Sequence, residues 1–95
     1  MEVVTSEERF LVVCPCAAII SSYVSELLDH RNLVWTFGKA IVRPTHTSAL
    51  FVCVDPTDDV HELWVSAAWV APGEWTLQHS PVPDLARRGE DAPGG

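Results

Sequence analysis

Cys14 and Cys16, with Pro15 between them, are the side chains in this chain most suited to chemistry. They stand where an apolar run gives way to a helical pattern, and a helix N-terminus favours a nearby thiolate. A redox pair, or half of a metal centre, would use them. The usual spacing for either is C-x-x-C, and no second pair follows. A metal site would have to be completed by Cys53, His46 and His61, brought in by the fold. Reduced, buried, structural cysteines are the simpler reading. Three thiols, two of them one residue apart, do not make the disulfide framework of a secreted module.

A second cluster gathers Asp55, Asp58, Asp59, His61 and Glu62. Oxygens at 55, 57 and 59 faintly resemble a calcium loop, but the glycine of the sharp turn and the late glutamate are missing. Acid–base catalysis would need one carboxyl buried beside another. Helix capping explains the cluster more simply. The four histidines, His30, His46, His61 and His79, follow no H-x-x-x-H or H-E-x-x-H pattern. Ser21, Ser22 and Ser25 lie outside any nucleophile motif. The five glycines form neither a dinucleotide fingerprint nor a phosphate loop. The chain is therefore read as non-catalytic, with no cofactor.

Composition narrows the partners. The chain has 95 residues, 47% hydrophobic and 20% charged, which is the profile of one small globular domain. Its formal net charge is −7, and residues 1–80 alone carry ten acids against four bases. Binding to a nucleic acid backbone needs clustered Lys and Arg, so direct nucleic acid binding is disfavoured. No apolar run is long enough to span a bilayer. The acidic N-terminus lacks the basic start of a secretory signal, so a cytoplasmic location is expected, with no membrane contact.

The elements that must position these residues begin with a polar lead-in over residues 1–8. Arg9 to Cys14 is a compact apolar run and is expected to be a buried strand. From Cys16 to Arg31, Ile20, Tyr23, Val24, Leu27 and Leu28 share a helical face, opposite Ser22, Ser25, Glu26 and Asp29. Asn32 would close that helix. Leu33 to Arg43 reads as a strand, joined through Pro44–Thr47 to a second strand over Ser48–Val54. Val34, Thr36, Gly38, Ala40 and Val42 form its small face, taken as the side under the helices, so Trp35 and Phe37 fall on the open side. A bulge at Gly38 would instead swap the faces midway.

Asp55-Pro56 then poses the main structural question. Asp55 suits an N-cap, Pro56 the first helical position, and Asp58 and Asp59 the positive end of a helix dipole. Val60, Leu63, Trp64, Ala67, Ala68 and Ala71 recur at helical spacing, and Pro72-Gly73 stops the segment. A helix over 56–71 is the preferred reading. The rival is a strand, with Ala71-Pro72-Gly73-Glu74 as a type II hairpin turn. Glu74–His79 is a short strand. Residues 81–95, rich in Pro, Gly and charge, read as a flexible tail beyond a domain at 1–80.

The expected order is β-α-β-β-α-β. This is the α+β, ferredoxin-like split βαβ arrangement, with both helices on one face of an antiparallel sheet. The alternative is one helix on a four- or five-strand antiparallel meander. In the helical reading Trp69 and Val65 point outward, so Trp35, Phe37, Val65 and Trp69 become partner-binding anchors, with Asp58, Asp59 and Glu62 as a charged rim. The expected function is a small acidic protein-binding module, an adaptor or inhibitor of a larger protein, forming a homodimer through its open sheet face or a helix. The alternatives are the thiol- or metal-dependent protein above, and an acidic mimic of nucleic acid.

Overall fold

The computed structural model describes residues 1–31 and 33–82, with His30 described by its backbone alone. The closing role given to Asn32 and residues 83–95 of the expected tail lie outside the described residues. The chain forms β1 (Glu2–Val4), α1 (Glu7–Val13), α2 (Ala17–Leu28), a 3-10 turn (Asp29–Arg31), β2 (Val34–Val42), β3 (His46–Val54), β4 (Val60–Ala71) and β5 (Glu74–His79). The strands make one antiparallel sheet in the order β1-β2-β3-β4-β5. The fold is α+β, with two helices and a five-stranded sheet. Neighbouring strands are consecutive in sequence from β2 to β5, so the ferredoxin-like order is replaced by a meander.

Three expectations about the elements are overturned. Residues 1–8 are not a polar lead-in, because Glu2–Val4 pairs with β2 as β1, Val4 is buried, and Glu7 and Glu8 begin α1. Of the run Arg9–Cys14, residues 9–13 are helical in α1 and Cys14 is its extended C-cap, so the run is not a strand. Ser6 caps this helix by accepting from the Arg9 N–H at 3.2 Å, and Glu7 and Glu8 lie in its first turn, where the helix dipole favours negative charge. Only Phe10 of its seven residues is buried, which is why the run carries no helical period. Residues 56–71 are not a helix but a turn followed by the twelve-residue β4. Asp55 does cap, but it caps a loop. Its Oδ1 accepts from the N–H groups of Thr57 (2.8 Å) and Asp59 (3.0 Å), and Asp58 N–H donates to the Asp55 carbonyl at 2.9 Å. Asp58 then takes a positive φ of 66°, which no helix can continue through. The chain leaves as a strand in register with β3 from Val54↔Val60 to His46↔Ala68.

At the other end of β4, Gly73 has φ 78°, the value that the third residue of a type II turn requires, with Pro72 in the second position. The rival reading of this segment is therefore the correct one. The β2–β3 hairpin closes over Pro44-Thr45, with Arg43 N–H donating to the His46 carbonyl at 2.8 Å.

The register between β2 and β3 shifts from Phe37 to Lys39, a bulge at Gly38. A Cβ on Gly38 would lie 3.1 Å from the Leu50 carbonyl oxygen, so the close approach favours glycine. The bulge exchanges the faces of β2. Before it, Trp35 and Phe37 point to the helices. After it, Ala40 and Val42 do. The expectation that Trp35 and Phe37 lie on the open face is thus corrected.

The core lies between this face and the helices. Phe51 is its centre, with ring contacts to Phe37 (5.9 Å) and Trp35 (5.6 Å), and Leu63 opposite on β4. Phe10 of α1 stacks on Phe37 at 4.8 Å, and Ile20, Val24 and Leu28 of α2 are fully buried. Tyr23 of α2 reaches His79 of β5, so both helices cover the same side of the sheet. Among the described residues, no helix is long and apolar enough to cross a membrane.

Candidate functional site

The side of the sheet without helices is the surface that the register singles out. Even-numbered residues of β3 and β4 point to it, as do Val34 and Thr36 before the bulge and Lys39 and Ile41 after it. The residues stand in cross-strand rows. One is Val34–Val54–Val60. The next is Thr36–Val52–Glu62. A third is Lys39–Leu50–Trp64, and a fourth is Ile41–Ser48–Ser66, continued by Gln78 of β5. Val3 of β1 adds to the fourth row from the other side. The first row is all valine, the middle rows set Val52, Leu50 and Trp64 beside Thr36, Lys39 and Glu62, and the fourth joins Val3 and Ile41 to serines and Gln78.

These apolar groups are only partly covered, by their neighbours within the sheet. Leu50 is packed down, whereas Ile41, Val52, Val54 and Trp64 are half-buried. Val34 and Val60 are 72% and 66% exposed. A one-sided antiparallel sheet in a monomer ordinarily alternates apolar with polar residues, with the polar set facing water. Here the helix-free side mixes Val34, Ile41, Leu50, Val52, Val54, Val60 and Trp64 with Thr36, Lys39, Glu62, two serines and Gln78. The face carries Lys39 and Glu62 as its formal charges among the described rows, so it is locally balanced in a chain of net charge −7.

The residues expected to anchor a partner are dispersed. Val65 is fully buried in the core between Ala49 and His79. Trp35 and Phe37 are half-buried under the helices, and Trp35 Nε1–H donates to Asp29 Oδ1 at 3.0 Å. Trp69 is 45% exposed, but it pairs with Trp75 on the helix side of the sheet, near its far end. Asp58 and Asp59 are exposed in the β3–β4 loop, next to the valine row, and Glu62 is on the open face. Of the expected set, only these three acids border the apolar surface. Val34, Ile41, Val52, Val54, Val60 and Trp64 are not singled out by sequence. Their signal is the even-numbered apolar series on either side of Asp55, visible once 60–71 is read as a strand.

The acidic cluster has a structural role at the loop. Asp55 is buried, and beyond its loop contacts its Oδ2 lies 2.8 Å from His61 Nε2. Burial by itself pushes the Asp55 carboxyl up. The hydrogen bonds from Thr57, His61 and the Asp59 and Thr57 N–H groups outweigh it and hold the carboxyl well below its ordinary value of 3.8. A carboxyl lowered in this way adds stability above its unfolded pKa and loses it as pH falls below. Asp55→Asn should therefore lower the melting temperature near neutral pH. The gap from the parent should narrow as pH falls through and below about 4, the range where free carboxyls titrate. Thermal melts of both proteins at several pH values would check this, and a gap that widens in acid would refute it.

The cysteines divide into two places. Cys14 Sγ and Cys16 Sγ are 3.4 Å apart at the corner between α1 and α2, and Cys14 Sγ lies 3.5 Å from Thr47 Oγ1. The hydrogen bond from Cys16 lowers the Cys14 thiol against the effect of burial, with Thr47 adding to it, while the same contact and burial push Cys16 up. Cys53 is buried six residues further along β3, roughly 20 Å away at about 3.3 Å per residue. Burial pushes its thiol up. His61 pairs across from Cys53, and His46 faces the open side of the sheet. The expected metal set of Cys14, Cys16, Cys53, His46 and His61 is therefore not brought together, and among the described residues no cluster of three metal-ligating side chains occurs. A shallow groove between α2 and β5, lined by Ile19, Ser22, Tyr23, Glu26 and Leu77 among others, contains one carboxylate and no acid–base pair. Compared with models of protein families, with curated proteins and with solved structures, the chain matches none.

Proposed function

We propose that the protein is a small non-catalytic binding module that works as a homodimer, joined face to face through the helix-free side of its sheet. The observation that carries this reading is the continuous apolar surface formed by Val34, Ile41, Leu50, Val52, Val54 and Trp64. Exposed apolar patches of a few hundred Å² mark interaction sites, and interfaces are enriched in tryptophan.

A second copy is the favoured occupant for two reasons. The first is size. Four strands about 4.8 Å apart and about 30 Å long present a face of roughly 600 Å² in projection. A stable dimer buries about 800 Å² of accessible surface per partner, which is of the same order. The second is charge. Two copies of an acidic chain repel each other, and on the rows of this face that repulsion is reduced, because Lys39 balances Glu62. Asp58 and Asp59 sit at one edge, where they remain in water and keep the assembly soluble.

The dimer would then present its helices and loops outward to a larger protein target in the cytoplasm, without direct contact with nucleic acid or membrane. Light scattering over a concentration series tests the assembly. The expected mass is twice the 10.5 kDa of the chain. Trp69→Ala, on the other side of the sheet, should leave it unchanged. A single-chain mass at every concentration would reject the reading.

A further inference from the structure

The corner between α1 and α2 points to a second site. Cys14-Pro15-Cys16-Ala17 is a β-turn closed by Ala17 N–H donating to the Cys14 carbonyl at 3.1 Å. Pro15 occupies its second position, which fixes that residue's φ, and Cys16 has φ −104° and ψ 15°, near the values of the third position in a type I turn. The turn puts both thiols on one side, in contact at 3.4 Å. Proline between them removes a backbone freedom that would let them separate.

We infer that Cys14 and Cys16 form a thiol–disulfide exchange site that takes small-molecule disulfides of the oxidised glutathione type. Cys14 attacks one sulfur of the incoming disulfide. The sulfur–sulfur bond of the reagent breaks, one thiol leaves, and Cys14 is held in a mixed disulfide. Cys16 then attacks Cys14 Sγ, the mixed bond breaks, and the second thiol leaves. The pair loses two electrons and two protons, and the reagent gains both as two thiols.

The roles come from the surroundings. Cys14 retains 4% exposure and Cys16 none, so an outside reagent reaches Cys14 first. Thr47 Oγ1, 3.5 Å from Cys14 Sγ, can donate to the sulfur when it is a thiolate. The hydrogen bonds that lower the Cys14 thiol agree with its role as attacking group. Access requires opening of the corner. The element leading into the corner suits this, because α1 is seven residues long, ends at Cys14 and buries only Phe10. Short elements with few buried groups open locally at low cost. Cys53 takes no part, since it is buried far along β3, between Trp35 of β2 and His61 of β4.

The test uses the reduced full chain, oxidised glutathione as the probe, and intact-mass and peptide mass spectrometry after acid quenching. The expected product is two hydrogens lighter, with the bond mapped between Cys14 and Cys16 and Cys53 still free. Cys53→Ser should behave as the parent does. Cys16→Ser should stop at one added glutathione on Cys14. Dithiothreitol should restore the starting mass in each case. A parent that keeps its reduced mass, or an oxidised product bonded through Cys53 or between two chains, would overturn the inference whatever the variants do.

Discussion

Phe51→Ala is expected to cost about 3–5 kcal/mol of folding stability, the range for truncating a buried phenylalanine. Phe51 is 1% exposed at the middle of the central strand. Trp35 and Phe37 meet its ring edge-on, and Leu63 faces it from β4. These neighbours are themselves fixed, Trp35 by its bond to Asp29 and Phe37 by stacking on Phe10, so the cavity left behind cannot easily collapse. Domains of this size have about 5–15 kcal/mol in all. The variant should therefore melt at least about 12 °C below the parent. Thermal and urea unfolding followed by tryptophan fluorescence would measure it. A loss under about 1 kcal/mol would mean that the two helices do not close over this face.

Val52→Lys, one residue along the same strand, should have the opposite profile. Val52 is on the helix-free face, half-buried, between Thr36 and Glu62. A lysine there faces Glu62 across the strands, an arrangement that favours the sheet of a single chain. The variant should fold, with a melting temperature close to that of the dissociated parent. In a face-to-face dimer, two such ammonium groups would be buried near the centre. Each costs several kcal/mol unless fully paired, and every 1.4 kcal/mol is tenfold in affinity. Dimer dissociation should rise by at least about 100-fold, read by sedimentation equilibrium at matched concentrations. An unchanged dissociation constant would place the interface elsewhere.

The contrast between these neighbours also explains what the sequence reveals. The helix after Pro15 is legible because Ile20, Val24 and Leu28 recur on one face and are all buried. The β2–β3 hairpin is legible from its β-branched strands and proline turn. β1 is three residues long, too short to carry a period, and α1 turns Leu11 and Val12 outward, so its run of apolar residues resembles a strand. In β4 both periods fit at once. Leu63, Val65 and Ala67 give the alternation of one buried face, while Val60, Trp64 and Ala68 on the other side complete an apparent helical stripe. On its open side β4 carries Val60, Trp64 and Ala68 beside the polar Glu62 and Ser66, so the two-residue alternation is blurred. Trp35 and Phe37 fall on the wrong side when β2 is taken as a regular strand. The single-residue bulge at Gly38 reverses the faces, and the correct placement depends on choosing that alternative. Asp55 is recognisable as a cap from its type and neighbours. Whether a helix or a loop continues from it depends on Asp58 adopting a positive φ, which residue type alone does not decide.

The most direct measurement is nuclear magnetic resonance on a mixture of isotope-labelled and unlabelled chains, filtered for contacts between molecules. A face-to-face dimer predicts intermolecular contacts from the methyl groups of Ile41, Val52 and Val54 to the same face of the second copy, including the Trp64 ring. Contacts confined to the helices or to the β5 edge, or none at concentrations where two chains associate, would contradict it.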